Sequence, residues 1–326
     1  MSNLAIRLKK RLDMTTTNWQ SDCCFSKSYA LLRIIDDFST RLRIKKLSDW
    51  AHKRKDNWIL TYLYELLLPV IEKYKENDNT GIPIENAPIW ICWWTGEDTA
   101  PPLVQQCIRS IRKNSGNHPV NLVTEKTYAD YLKVPDFMFD RLKNGEIGFA
   151  HFSDYLRVCL LERYGGLWLD ATIFCAANIP EDYFEIPVFT CKSSYVESRY
   201  LSNYQWVTFC LGGWSENTFY CFLKDAFELY WEKNKRAIDY LFFDHLIYLG
   251  KKYIPAVKKY LEVVPINNIH RDDLQAAMNA ALPANEFWNV VYEETALYKL
   301  SWRETYMSKT PDGKLSVYGY LLEMEF

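Results

Sequence analysis

The chain has almost no charge imbalance. Its 39 Lys and Arg stand against 41 Asp and Glu, a formal net charge of −2 over 326 residues. Without a global basic field nothing holds a polyanion across a broad surface, so no nucleic-acid partner is expected. Long apolar runs are also missing. The longest stretch free of charged residues, 200 to 215, is too short for a bilayer-spanning helix and is broken by Ser, Asn, Gln and a Gly pair. Near the start, Arg7, Lys9, Lys10 and Arg11 lie among Leu4, Ile6 and Leu8, with neither the apolar segment nor the small-residue cleavage site of a secretory signal. A cytoplasmic protein, able to rest on the inner face of a membrane, is the expectation.

Paired-cysteine motifs are absent too. The nine cysteines include no C-x-x-C, which removes zinc-ribbon and thioredoxin-like readings, and Cys92, Cys159 and Cys210 sit inside apolar runs as small core residues do. No G-x-G-x-x-G, P-loop, G-x-S-x-G or H-E-x-x-H occurs, and none of the five histidines pairs at i, i+4. Dehydrogenase, P-loop, serine-hydrolase and zincin chemistries lose their signatures. What the chain does have is aromatic residues, 16% in all with 12 Trp and 23 Tyr, whose flat faces suit sugars and bases but also simply fill cores. Hydrophobic content of 48% and charged content of 25% are those of a folded globular chain.

Residues 1–82 read as a helical accessory region, with Leu60, Leu63, Leu67 and Val70 near helical spacing. Within it, 4–12 and 41–47 are short basic amphipathic stretches suited to an anionic membrane surface. Loop chemistry over 77–88, rich in Asn, Asp, Gly and Pro, marks a boundary. Beyond it, at 83–326, strand and helix signals alternate. A strand over 89–94, a helix from Pro101-Pro102 to about Asn114 and a strand over 119–123 make a β-α-β unit with parallel strands. Ligands in such sheets bind at the strands' carboxyl ends, where Trp93 and Trp94 fall. Two short helices are expected over 126–132 and 135–143, and a strand with its turn over 204–214.

The most informative stretch runs from Phe149 to Phe174. Wound as a helix, Phe149, Phe152, Leu156, Cys159 and Leu160 form one apolar stripe, with Asp154 and Arg157 opposite. Val158 and Leu161 flank those charges, so the pair is expected inside the protein, where desolvation makes a purely structural role costly. Gly165-Gly166 ends the helix and releases the strand Leu167-Trp168-Leu169, which places Asp170 at a strand's carboxyl end. Asp154, Arg157, Asp170 and the two indoles are thus expected around one crevice, with a carboxylate able to hold a cation or ribose hydroxyls. His151 is expected to be a buried, hydrogen-bonded residue, and Asp239, Asp244 and His245 a helix-face cluster near the second half.

Ser153-Asp154-x-x-Arg157 followed by Gly165-Gly166-x-Trp168-x-Asp170-Ala171-Thr172 resembles the signature of glycosyltransferases with a DXD-type sugar-binding motif, family 32-like and in particular their capsular-polysaccharide-synthesis branch. Pro88-x-Trp90-x-Cys92-Trp93-Trp94-x-Gly96 is similar to that branch's first-strand motif. The resemblance covers about 83–185 well and the rest loosely. It implies an α/β fold of GT-A type, a Rossmann-like nucleotide-sugar-binding sheet, with a donor half over 83–185 and an acceptor half over 186–326. It further implies a hexosyltransferase using a nucleotide-sugar donor, usually a UDP-sugar, with a divalent metal, Mn2+ or Mg2+, and retention of anomeric configuration. The acceptor would be a surface polysaccharide or lipid-linked glycan. By position, Trp94 would lie by the base with Trp93 beside it, Asp154 and Arg157 would hold sugar and diphosphate, and Asp170 would reach ribose and metal. Thr172 stands at the second carboxylate position of the motif, a neutral and poorer metal ligand. Ser301 and Trp302, in the segment Tyr298-Lys-Leu-Ser301-Trp302, resemble a closing segment over the diphosphate, although its leading position, often His, is Tyr298. The alternatives are a non-catalytic sugar-nucleotide-binding or scaffold subunit of an assembly complex, or a transferase that modifies protein.

Overall fold

A computed structural model of the chain describes residues 19–194, 198–282 and 295–326. Its strands are β1 (Ile89–Cys92), β2 (Val120–Val123), β3 (Gly166–Leu169), β4 (Ile173–Cys175), β5 (Val188–Thr190), β6 (Cys210–Gly213) and β7 (Leu297–Lys299). Five of them form a mixed sheet in the order β2-β1-β3-β6-β5; β1 runs parallel to β2 and β3, whereas β6 is antiparallel to both β3 and β5. The remaining two, β4 and β7, pair antiparallel as a separate ribbon.

The helices that matter are α1 (Lys27–Arg41), α2 (Lys45–Tyr74), α3 (Pro102–Lys113), α4 (Tyr128–Tyr131), α5 (Asp136–Lys143), α6 (Phe149–Tyr164), α7 (Thr218–Lys233) and α8 (Phe242–Tyr253). The crossover β1-α3-β2, the two short helices and the long α6 fall where the sequence pattern placed them. The strand expected over 204–214 is confined to its second half, Cys210–Gly213.

Both faces of the sheet are covered, as parallel strands require. Along β1, Trp90 and Cys92 join one buried cluster with Phe152, Leu156 and Leu160 of α6, while Ile89 and Ile91 join another with Val104 and Ile108 of α3. That alternation is the two-residue period of a strand. Truncating a side chain such as Leu156, fully buried here, costs about 2–5 kcal/mol through lost transfer energy and a residual cavity.

The N-terminal hairpin α1–α2 packs on the second half of the chain. Ile59, Leu63 and Leu67 of α2 belong to the same cluster as Phe219 and Phe227 of α7. The Tyr29 hydroxyl donates to the Ile238 carbonyl, and Lys55 Nζ donates to Asp239 Oδ2 at 3.2 Å. The turn between the helices holds the basic stretch 41–47, whose Leu42, Ile44 and Leu47 are exposed. The stretch 4–12 lies outside the described residues. No described helix is long and apolar enough to cross a membrane.

Candidate active site

The site begins at the end of α6. Gly165 and Gly166 hold φ of 60° and 94°, values that L side chains rarely adopt, and a Cβ on Gly166 would lie 2.0 Å from the Pro88 carbonyl oxygen. The Gly165 N–H closes the last helical turn on Leu161, and Leu167 N–H donates to Pro88 at 2.9 Å, so the chain turns straight from α6 into β3 beside β1. Asp170 follows directly on β3.

Arg157 is 4% exposed. Its Nη1 donates to Asp154 Oδ1 at 2.8 Å and its Nη2 to Asp170 Oδ1 at 3.1 Å. The guanidinium lies 4.7 Å over the Trp168 ring and 5.6 Å from that of Phe243. A planar, weakly hydrated fork suits this position between two acids and two aromatic faces better than an ammonium would. Trp168 Nε1 donates a further bond to Asp170 Oδ1 at 3.0 Å. The Cys92 thiol at the end of β1 senses both Arg157 and Asp170, and burial pushes it up to about 12, so it stays protonated. The structure therefore joins Asp154, Arg157 and Asp170 at the carboxyl ends of β1 and β3, as the sequence predicts.

The other oxygen of Asp170 is held by a residue that the sequence did not single out. Lys299 Nζ donates to Asp170 Oδ2 at 2.9 Å and to Thr172 Oγ1 at 2.7 Å. The β4–β7 register sets this contact: Ile173 lies opposite Lys299, and Leu300 N–H donates to the Thr172 carbonyl at 2.9 Å. Burial works to raise the Asp170 pKa, but Lys299 and Arg157 outweigh it and hold the carboxyl below its ordinary range. The acid is ionised at neutral pH. The Asp170 and Lys299 side chains keep 30% and 27% of their surface exposed, so the cluster opens to solvent through them.

The two indoles part company. β1 ends at Cys92, and the chain turns at Trp94, with Gly96 N–H donating to the Trp93 carbonyl at 2.9 Å. Trp93 packs on the α3 side and meets Trp302 edge to face at 5.8 Å, whereas Trp94 lies among Tyr128, Phe149 and Phe152 on the α6 side. Trp302 does reach the residue after β1 through Trp93, whereas Ser301 N–H donates to Gln275 Oε1 at 2.8 Å and no contact ties it to the end of β1.

A third carboxylate faces the cluster from α8. Asp244 accepts from Trp206 Nε1 at 2.8 Å. Burial and the nearby Asp154 push it up to about 6, against the pull of the Trp206 bond, His245 and Arg157. Asp244 and His245 also line a small cavity of about 70 Å3 with His52 and Asp56 of α2 and with Tyr200 and Ser202. The expected helix-face cluster thus has two sides, His245 toward Asp56 at 3.6 Å and Asp244 toward the site.

Three buried donors or acceptors of the site lack a hydrogen-bond partner among the described residues: Arg157 Nε, Trp93 Nε1 and His151 Nδ1. His151 is only partly buried and makes no hydrogen bond at Nδ1, against the expectation of a buried, hydrogen-bonded residue; that nitrogen lies 3.7 Å from Asp154 Oδ2. An unmet buried polar group costs about 1–3 kcal/mol, and such groups gather where a ligand completes the bonding.

The residues expected to hold a metal fit one poorly. Both Asp170 oxygens are engaged, Thr172 is neutral and bonded to Lys299, and among the described residues no three His, Cys, Asp or Glu side chains converge as a ligand set. A cation placed there must displace an ammonium already in the position.

The sequence profile of the family described as "Capsular polysaccharide synthesis protein" matches residues 40–321. Among curated proteins no sequence match was found. The solved structure titled "PaToxG Glycosyltransferase" is similar over 68% of this chain and 90% of that one, at 13% identity and a TM-score of 0.30, too low to carry an argument.

Proposed function

The chain belongs to the capsular polysaccharide synthesis protein family, and from that premise we propose that it is a glycosyltransferase of GT-A type that moves a hexose from a nucleoside-diphosphate sugar, a UDP-sugar first, to a glycan or lipid-linked glycan. The observation that carries this reading is the cluster Asp154–Arg157–Asp170–Lys299 at the ends of β1 and β3, two cations and two acids with one guanidinium nitrogen unpaired. Sugar hydroxyls call for acids and a departing diphosphate calls for cations, and both meet here.

In this reading Asp154 and Asp170 hold donor hydroxyls, and Arg157 and Lys299 face the diphosphate. Charge grows on the phosphate oxygen as its bond to the sugar breaks, so fixed cations stabilise the transition state more than the ground state. The acceptor oxygen bonds to the anomeric carbon, the bond to the phosphate oxygen breaks, and the acceptor proton passes to that oxygen, with retention of configuration. The acceptor would approach from the side of Asp244 and of Tyr240, whose ring is 72% exposed and 6.3 Å from His151. Trp93 and Trp302 would wall the nucleotide end. The test is a thermal-shift panel of UDP-, GDP- and CMP-sugars followed by a transfer assay, because a ligand of the native state raises the melting temperature by mass action. Stabilisation by one donor class and turnover lost in Asp170→Asn support the enzyme; binding without turnover supports a scaffold.

We propose that the chain rests on a membrane surface through the α1–α2 turn. Phe38, Leu42, Ile44, Leu47 and Trp50 are exposed there beside Arg41, Arg43, Lys45 and Lys46. Apolar insertion together with about 1 kcal/mol per basic residue gives the two signals that stable attachment to an anionic bilayer needs.

A further inference from the structure

We propose that the ammonium of Lys299, bonded to both Asp170 and Thr172, takes the role that a divalent cation would have at an Asp-x-Asp segment, so that this protein binds its diphosphate ligand without metal. The inference rests on the donor reading above and deepens it.

Charge balance makes the case. Two carboxylates need a doubly charged ion for neutrality. Here the second position is the neutral Thr172; with Arg157 offset by Asp154 at 2.8 Å, a single charge is left at Asp170, and Lys299 supplies a single positive charge at 2.9 Å from that acid and 2.7 Å from the threonine hydroxyl. The substitution of carboxylate by hydroxyl and of metal by ammonium is matched, one charge for one charge. Thr172 also serves better as an acceptor for an N–H than as a metal ligand.

The position is built rather than accidental. Lys299 ends β7, and its pairing with β4 fixes it beside Thr172; a slip of one residue would turn its side chain to the other face of the ribbon. The Phe209 ring lies 5.0 Å from Nζ and backs the ammonium. An ammonium has three N–H donors. Asp170 and Thr172 take two, and the third remains for a phosphate oxygen reaching in through the exposed part of the side chain. A divalent ion entering here would meet Lys299 and Arg157 within a few ångströms, and both repel it.

The experiment compares UDP binding by calorimetry in EDTA and in Mn2+, alongside Mn2+ binding to the protein followed by the electron paramagnetic resonance of the free ion, with and without UDP. The expected result is a UDP affinity equal within about twofold in the two buffers, an undiminished free-Mn2+ signal, and at least a tenfold weaker affinity in Lys299→Ala that Lys299→Arg largely restores. UDP binding that requires Mn2+, or loss of the free-ion signal at stoichiometric protein, overturns the inference. If UDP fails to bind in both buffers the donor reading falls, and the Mn2+ signal of the protein alone still decides the cation site. If Lys299→Ala does not fold, the wild-type comparison decides.

Discussion

Arg157 and Asp170 meet at 3.1 Å although about two helical turns, two glycines and a strand separate them in the chain. Each is fixed by a different element, α6 for the base and the end of β3 for the acid. The contact therefore depends on how helix and strand are joined.

The arginine bears on both stability and chemistry. In Arg157→Met the Asp154 and Asp170 oxygens lose a charge-assisted partner, yet Asp170 keeps Lys299 and Trp168 and is partly solvated. We expect a stability loss of about 1–3 kcal/mol in urea denaturation. Turnover should fall by on the order of 100-fold, the scale for removing one transition-state donor. Wild-type turnover in a folded variant would remove Arg157 from the mechanism.

The junction itself is tested by Gly166→Ala. The added methyl meets the Pro88 carbonyl at 2.0 Å, at a φ of 94°. Backbone against backbone cannot give way cheaply, so the urea midpoint should drop by the equivalent of about 2 kcal/mol or more, or the protein should fail to fold. A neutral substitution would mean that α6 and β3 are joined in another way.

Asp244 gives a pH signature of defined sign. Its folded pKa of about 6 lies above the ordinary value of 3.8. Between those values the native state binds a proton that the unfolded state has lost, so this group's contribution to stability falls as pH rises through that window and stays low above it. The full loss is ~3 kcal/mol as an upper bound. Melting curves from pH 4 to 7 should show Asp244→Asn gaining on the wild type as pH rises. A constant difference between the two across that range would contradict the shift.

Membrane attachment is tested by vesicle sedimentation. Wild-type protein should pellet with vesicles containing phosphatidylglycerol and remain largely free of pure phosphatidylcholine. Phe38→Ser combined with Leu42→Ser, and separately Arg41→Glu with Arg43→Glu, should each reduce the bound fraction several-fold without changing donor binding. Equal sedimentation of all variants would place the contact elsewhere.

Much of the site is legible in the sequence because α6, Gly165-Gly166, β3 and Asp170 are consecutive: helical period, helix stop and strand are local signals. Lys299 is not legible in this way. It lies 129 residues from Asp170 and arrives through the register of a three-residue ribbon, which no local pattern encodes. The Lys55–Asp239 contact spans 184 residues and ties the N-terminal hairpin to the second half for the same reason. Trp93 and Trp94 show the opposite problem. Adjacent in sequence, they invite a shared crevice, but the chain turns just after β1 and they pack on different sides, and only Trp93 meets Trp302. The mixed character of the sheet, with β6 antiparallel to β3, likewise depends on pairing over a distance.

The most direct test of the account is phosphorus NMR of UDP titrated with wild-type protein and with Arg157→Met. If the cluster at the ends of β1 and β3 holds a diphosphate, the β-phosphorus resonance shifts or broadens with wild-type protein and is little changed with the folded variant. Identical spectra with the two proteins, or no change with either UDP or GDP, would contradict it.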